Sequence, residues 1–260
     1  MLKKYEKLMK YRRLTNDYPK KPVDNTGYVG APAIKGDMCQ KCHFCAQNCP
    51  SQAITIDEAG YPNIHIDQCI YCSLCAEICP THAMYMTESF TDCACTKAEL
   101  LRKPMIIDKV PAQSSTELAE ELKKKIQKTL HRSLQIREID AGSCNGCDYE
   151  ANAIMNPLND LERLGITFVA SPRHADMLLV TGPVTRNMER ALLQAYEATP
   201  DPKIVVALGT CALSGGMFRF GYAAGSGVDT VIPVDMYIPG CPPRPPAIIY
   251  GILKAVDRIK

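Results

Sequence analysis

Four cysteines in the second half of this 260-residue chain have the type and setting to hold a metal. Cys144 and Cys147 stand at Cys-x2-Cys spacing within Gly142-Ser-Cys-Asn-Gly-Cys-Asp-Tyr-Glu150, directly after the strand-like run Leu134–Ile139. Cys211 follows the run Ile204–Leu208, and Cys241 follows the run Val231–Ile238. In an open α/β sheet, loops at the carboxyl ends of the strands meet at one crevice. Four thiolates carried on three such loops suit one tetrahedral metal centre.

Eight further cysteines form an internal repeat. Cys39-Gln-Lys-Cys42-His-Phe-Cys45-Ala-Gln-Asn-Cys49-Pro50 recurs as Cys69-Ile-Tyr-Cys72-Ser-Leu-Cys75-Ala-Glu-Ile-Cys79-Pro80. Each copy runs on into a similar tail, Ser51-Gln-Ala-Ile-Thr-Ile-Asp and Thr81-His-Ala-Met-Tyr-Met-Thr. The spacing Cys-x2-Cys-x2-Cys-x3-Cys-Pro resembles that of the two-cluster ferredoxins, in which the fourth cysteine ligates the other cluster. One [4Fe-4S] cluster is therefore expected on Cys39, Cys42, Cys45 and Cys79, and another on Cys69, Cys72, Cys75 and Cys49. The proline after each fourth cysteine ends local helix and fixes the turn. Zinc is the competing reading, but zinc sites pair two Cys-x2-Cys units rather than repeat a four-cysteine run. His43 is either a hydrogen-bond donor to a cluster sulfur or a surface residue of its loop. Ile70 and Tyr71 are expected to keep water out of the second loop. Cys93 and Cys95 remain outside all three sets and read first as structural thiols. A metal or redox role completed by a partner's ligands is the alternative.

The elements that must position these cysteines follow from pattern and punctuation. Six Lys or Arg fall within the first 13 residues, where Tyr5, Leu8, Met9 and Arg12 share a helical face. Pro19, Pro22, Gly27, Gly30, Pro32 and Gly36 then predict an extended arm. It is expected to lie on the domain that follows or, alternatively, on a partner subunit. Ser114-Ser-Thr-Glu117 reads as a capping box ahead of an amphipathic helix with Leu118, Leu122, Ile126 and Leu130 on one stripe. Strands are expected at Leu134–Ile139, Ile166–Ala170, Met177–Thr181, Ile204–Leu208 and Val231–Val234. Helices are expected at Glu150–Leu164, Arg186–Ala198 and Pro246–Ile259. Apolar strands alternating with amphipathic helices imply a parallel sheet covered on both faces. The expected division is an arm over 1–38, a ferredoxin domain over 39–90, a linker over 91–133 and an α/β domain over 134–260.

Composition narrows the class. The chain has 14 cysteines, 46% hydrophobic residues and a net charge of +2. Near balance gives no electrostatic case for nucleic acid. Cysteines in short metal-type spacings, with no leader-like apolar segment behind Met1-Leu-Lys-Lys-Tyr, predict a reducing cytoplasm. No apolar run is long enough to span a bilayer, so membrane attachment is expected through partners. No Gly-x-Gly-x-x-Gly follows a strand, which weakens a nucleotide or flavin reading of the crevice.

Four stretches carry a second resemblance. Asp140-Ala-Gly-Ser-Cys-Asn-Gly-Cys-Asp-Tyr-Glu150, Val180-Thr-Gly-Pro-Val-Thr185, Leu208-Gly-Thr-Cys-Ala212 and Ile238-Pro-Gly-Cys-Pro-Pro-Arg-Pro245 resemble the cluster-binding core of [NiFe] hydrogenase small subunits and of the related complex I subunit. The complex I subunit places two adjacent cysteines where this chain has the spaced Cys144 and Cys147. The spaced pair resembles the energy-converting, formate-hydrogenlyase-type hydrogenases. In that group the two-cluster ferredoxin is often a separate subunit, whereas here it is fused. The resemblance implies a flavodoxin-like α/β domain whose Cys144, Cys147, Cys211 and Cys241 ligate a third [4Fe-4S] cluster, near a Ni–Fe site in a partner large subunit. It also implies membrane-arm subunits, and a soluble ferredoxin or formate-dehydrogenase-type donor. The implied role is electron relay rather than catalysis, in a complex peripheral on the cytoplasmic face of the membrane. Glu150 matches an acidic position near the large-subunit interface, where it either relays protons or favours a helix N-terminus. Pro246 replaces an acidic residue usual in relatives. A complex I-like ferredoxin:quinone oxidoreductase is the alternative.

Overall fold

The computed structural model describes residues 14–104 and 133–256. The helices predicted within residues 1–13 and 114–130 lie outside the described residues. In the first half, strand β1 (Pro32–Ile34) precedes helix α1 (Phe44–Gln47), strands β2 (Ile54–Ile56) and β3 (Pro62–His65), helix α2 (Leu74–Glu77), and strands β4 (Met84–Met86) and β5 (Leu101–Arg102). β1 pairs antiparallel with β4, and β2, β3 and β5 form a second antiparallel sheet. The pleat puts Ile54, Ile64 and Met84 inward, with Ile64 fully buried. Three of these strands, β1, β3 and β5, come from outside the two copies of the repeat.

The second half is an α/β domain with a five-stranded parallel sheet. Its elements are β6 (Leu134–Asp140), α3 (Gly146–Ala153), β7 (Ile166–Phe168), β8 (Met177–Thr181), α4 (Arg186–Ala198), β9 (Ile204–Leu208), α5 (Thr210–Ser214), β10 (Met236–Ile238) and α6 (Pro245–Val256). The strands lie in the order β7-β6-β8-β9-β10, and every neighbouring pair is parallel. Every residue of β8 is buried, as a continuous apolar run covered on both faces requires. The winding reverses between β6 and β8. Loops leaving the carboxyl ends of these strands diverge there and open a crevice.

Two predicted elements are corrected. The stretch Val231–Val234 is not a strand; the last strand is β10. Pro233 has no N–H to give a ladder. Pairing with β9 is prepared by Asp235, whose N–H donates to Val205 O and whose carboxylate accepts from Val205 N, each at 2.9 Å. The predicted helix Glu150–Leu164 is α3 followed by a turn and a separate 3-10 turn at Leu161–Leu164. Asn156 accepts at 3.0 Å from the N–H groups of both Leu158 and Asn159. That local turn outcompetes the helix, and Pro157 has no N–H to continue it.

The two halves are fastened along one seam. The Thr210 hydroxyl donates to Cys69 O at 2.7 Å, Ser214 to Asp67 O at 2.8 Å and Arg219 to Ser51 O at 2.6 Å. Lys97 pairs with Asp229 at 2.6 Å. Ala94 bridges antiparallel to Tyr237 on the outer strand β10, with both N–H···O bonds made. The described part of the arm, residues 14–38, contacts its own chain. Asn16 N–H donates to Leu158 O, Arg163 to Tyr18 O, and Gly30 N–H to Thr87 O. Tyr18 is buried edge-on against Phe90. Among the described residues no helix is long and apolar enough to cross a membrane.

Candidate metal centres

Three cysteine loops enter their helices in the same way. His43, Ser73 and Asn145 follow Cys42, Cys72 and Cys144 directly, precede α1, α2 and α3, and have φ of 64°, 65° and 65°. Lys41 with Tyr71, and Gln52 with His82, repeat left-handed geometry at matching places in the two copies of the repeat. Such conformations cost about 1–3 kcal/mol each and persist where the surroundings enforce them. Asn145, His43 and His82 are of types that tolerate this conformation; for Lys41, Tyr71, Ser73 and Gln52 only equal placement in the two copies hints at it.

The repeat builds two cavities. Cys39, Cys42, Cys45 and Cys79 line one, together with Lys41, His43 and Phe44. Cys49, Cys69, Cys72 and Cys75 line the other, with Ile70 beside them. Each cavity draws one cysteine from the other copy, because α1 and α2 pack against each other. Backbone donors point at sulfur: Ala53 N–H to Cys49 Sγ at 3.3 Å, Tyr71 N–H to Cys69 Sγ at 3.4 Å and Met84 N–H to Cys79 Sγ at 3.5 Å. Burial pushes the Cys45 thiol up to about 11, and Cys69 and Cys75 up to about 12, with neighbouring cysteines adding to each. Cys79 goes the other way. Its burial is outweighed by the N–H of Met84 and by the Thr81 hydroxyl.

The third set sits at the carboxyl ends of β6, β9 and β10. Cys147 is buried, Cys211 half-buried, and Cys144 and Cys241 exposed. Burial, and then the charges of Cys241 and Cys144, push Cys211 up to about 12. Burial, then Cys211 and Cys241, raise Cys147. The four thiols thus stand at one end of the sheet, and charge on one raises its neighbours. Gly209 lets the β9 loop pass this set: at φ +85°, a β-carbon there would stand 2.3 Å from Cys147 Sγ. Among the described residues no three His, Cys, Asp or Glu side chains gather closely enough for a single metal ion; the first two cysteine sets each line a cavity instead. Thiols that repel and desolvate one another, with N–H donors aimed at their sulfurs, fit a polynuclear cationic group. Such a group supplies the missing positive charge and holds the sulfurs as thiolates.

The remaining predicted residues fall as follows. His43 Nε2 is buried with no hydrogen-bond partner. Tyr71 is half-buried, and its hydroxyl is raised by desolvation and by Asp92. Cys93 and Cys95 pack on the core of the parallel sheet and join none of the three sets. Cys93 is pushed up to about 12 by burial. Glu150 lies midway along α3 and is raised by burial, against the pull of Arg244. The acid in the first turn of α3 is Asp148 instead. Pro246 is buried near the start of α6, where a missing N–H costs little.

Sequence reasoning missed Glu138. Burial, and then the charge and hydrogen bond of Asp148, push its carboxyl up to about 7. Asp148 also accepts from Thr181 Oγ1 at 2.6 Å and from Ser143. Glu138 and Asp148 line a cavity of ≈ 520 Å³ with Arg137, Asp140, Asn145 and Asn152. The available signal was a carboxylate within an otherwise alternating strand.

Comparisons with known proteins match this geometry in two places. Residues 38–83 match the 4Fe-4S dicluster domain, and residues 144–255 match the NADH ubiquinone oxidoreductase 20 kDa subunit. The chain is 45% identical over 157 residues to formate hydrogenlyase subunit 7 of Escherichia coli, covering 60% of this chain and 58% of that one. It is 49% identical over 133 residues to a probable membrane-bound hydrogenase subunit of Pyrococcus furiosus, covering 51% of this chain and 79% of that one. It is 50% identical over 113 residues to an NADH-quinone oxidoreductase subunit of Geobacter metallireducens, covering 44% of this chain and 66% of that one. The chain thus spans less than two thirds of the first and third of these relatives. It belongs to the family of the NADH ubiquinone oxidoreductase 20 kDa subunit and its hydrogenase relatives, and it carries a 4Fe-4S dicluster domain ahead of that region.

Proposed function

We propose that this protein is an electron-relay subunit of a multi-subunit [NiFe] hydrogenase, holding three [4Fe-4S] clusters. Cys39, Cys42, Cys45 and Cys79 would hold the first, Cys49, Cys69, Cys72 and Cys75 the second, and Cys144, Cys147, Cys211 and Cys241 the third. Bound clusters supply one-electron chemistry. The chain's own contribution is spacing, shielding and N–H donors to sulfur. The observation that carries the reading is the adjacency of the three sets. The first and second sets exchange a cysteine where α1 and α2 pack together, and Thr210, bonded to Cys211 of the third set, donates to Cys69 O of the second at 2.7 Å. These contacts support a relay in which the second set stands between the other two.

Met217, Phe218, Phe220 and Tyr222 are exposed on the segment after Cys211, and Tyr149 is exposed beside Cys147. An apolar rim at the third set suits cover by a large partner subunit carrying a Ni–Fe site. Glu150, with Arg244 opposite, suits a proton relay at that rim. Membrane-arm partners, a soluble donor and a peripheral cytoplasmic position complete the reading. The strand order, 2-1-3-4-5 when numbered from β6, supports a flavodoxin-like reading of the α/β domain. The ferredoxin unit of 39–90 borrows β1 from the arm and β5 from the linker.

Similarity to the NADH-quinone oxidoreductase relative favours a second reading, in which the electrons reach a quinone. The spaced Cys144 and Cys147 count against it. Anaerobic capture of the native complex through a tag on this chain, followed by metal analysis, decides. Stoichiometric nickel with about twelve irons from this chain is the expected result. About twelve irons with partner subunits but no nickel would replace the hydrogenase reading by the quinone one.

A further inference from the structure

We propose that the Thr210 hydroxyl is the junction that couples the second and third cysteine sets electronically. The proposal rests on the reading that both sets hold clusters. Thr210 is 1% exposed. Its hydroxyl donates to Cys69 O at 2.7 Å and lies 3.2 Å from Gly240 O. Its backbone N–H donates to the same Gly240 carbonyl at 2.9 Å. Thr210 is bonded to Cys211, and Gly240 to Cys241. One side chain thus joins the backbone of a second-set cysteine to two ligand loops of the third set.

Tunnelling falls off least through covalent bonds, more across hydrogen bonds, and most across van der Waals gaps. In this buried seam the Thr210–Cys69 hydrogen bond offers a short bonded route between the two sets. The other fastenings are longer detours or lie off the route. Ser214 donates to Asp67 O at 2.8 Å and lies 3.2 Å from Thr210 O, a path with an extra hydrogen bond and two more residues of backbone before Cys69, and the Arg219–Ser51 and Lys97–Asp229 contacts lie beyond it. These contacts hold the halves together whether or not position 210 carries a hydroxyl. The step served is the movement of one electron: one cysteine-bound centre loses it, the other gains it, and no proton moves and no bond is made or broken.

The test uses the full chain, purified anaerobically with its clusters. Iron content and EPR establish loading. Flash reduction at the ferredoxin half, followed by freeze-quench EPR, gives the rate of arrival at the third set. Thr210→Val keeps the volume and removes the hydroxyl; it is expected to load fully, hold its midpoint potentials and transfer severalfold more slowly. Thr210→Ser restores the rate. Ser214→Ala, which removes the neighbouring seam bond, keeps the wild-type rate. A fully loaded Thr210→Val with the wild-type rate overturns the proposal, as does equal slowing by Ser214→Ala. Thr210→Ala is read in parallel, in case the valine variant fails to load. Failure of both to load also overturns the proposal, by making the residue purely structural. Missing clusters in the wild-type chain would instead sink the cluster reading itself.

Discussion

A β-carbon at position 209 would stand 2.3 Å from the Cys147 sulfur, on a backbone at φ +85°. With ψ at 157°, this is a backbone that essentially only glycine adopts; it costs an alanine about 1–3 kcal/mol, and the contact adds to it. Gly209→Ala is expected to lower the iron of the chain from about twelve to about eight per molecule, with the ferredoxin-half EPR signals unchanged. Loss of all the iron would contradict the independence of the third set. Glu138 leads to a different measurement. Its carboxyl is raised to about 7 by burial and by Asp148, so between the ordinary carboxylate range and about 7 the folded chain binds more protons than the unfolded one. Stability contributed by this group is full below that range and falls as pH rises through the window. Glu138→Gln should flatten the decline between acidic and neutral pH. It should gain on the order of 1 kcal/mol above neutrality, after allowance for its partial exposure. Chemical denaturation at several pH values reads both effects, and parallel curves for the two proteins would refute the assignment.

At the scale of elements, the repeat exchanges one ligand in each direction. Cys79 belongs to the second copy yet lines the first cavity. Cys79→Ser should therefore abolish the signal of the first cluster and spare that of the second, the reverse of what its position in the second copy suggests. Lining the second cavity, Ile64 is fully buried at the centre of the three-stranded sheet. Ile64→Ala should cost about 2–5 kcal/mol, read as a lowered melting temperature. Much at this scale was legible beforehand. Cysteine spacing is local, and β8 and β9 are apolar runs bounded by turn residues, so both could be read without tertiary knowledge. The failures have physical causes as well. Leu161 and Leu164 continue a helical stripe past Ala153, but the Asn156–Pro157 turn overrides periodicity. Val231 to Val234 has strand composition, but Pro233 withdraws a donor. β1 and β5 carry no pattern of their own; they are strands because β4 and β3 offer them hydrogen bonds.

For the whole molecule, the main fact is that two cysteine-bearing halves share one seam, and no residue type advertises that pairing. Thr210, Ser214, Arg219 and Lys97 are ordinary polar residues until the fold sets them opposite Cys69, Asp67, Ser51 and Asp229. Their bonds are individually modest, about 0.5–1.5 kcal/mol each, and act together. One of the contacts across the seam has a bearing on how the protein can be handled and on why its two parts travel as one polypeptide. Ala94 occupies the outer margin of β10, exchanging both backbone hydrogen bonds with Tyr237. An unpaired parallel-sheet margin is a template on which other chains can add strands. Residues 133–256 produced alone would leave that template bare and should form strand-mediated oligomers, visible by light scattering, that the full chain does not form. Covalent linkage makes the ferredoxin half a built-in guard against self-association, present from the moment of synthesis.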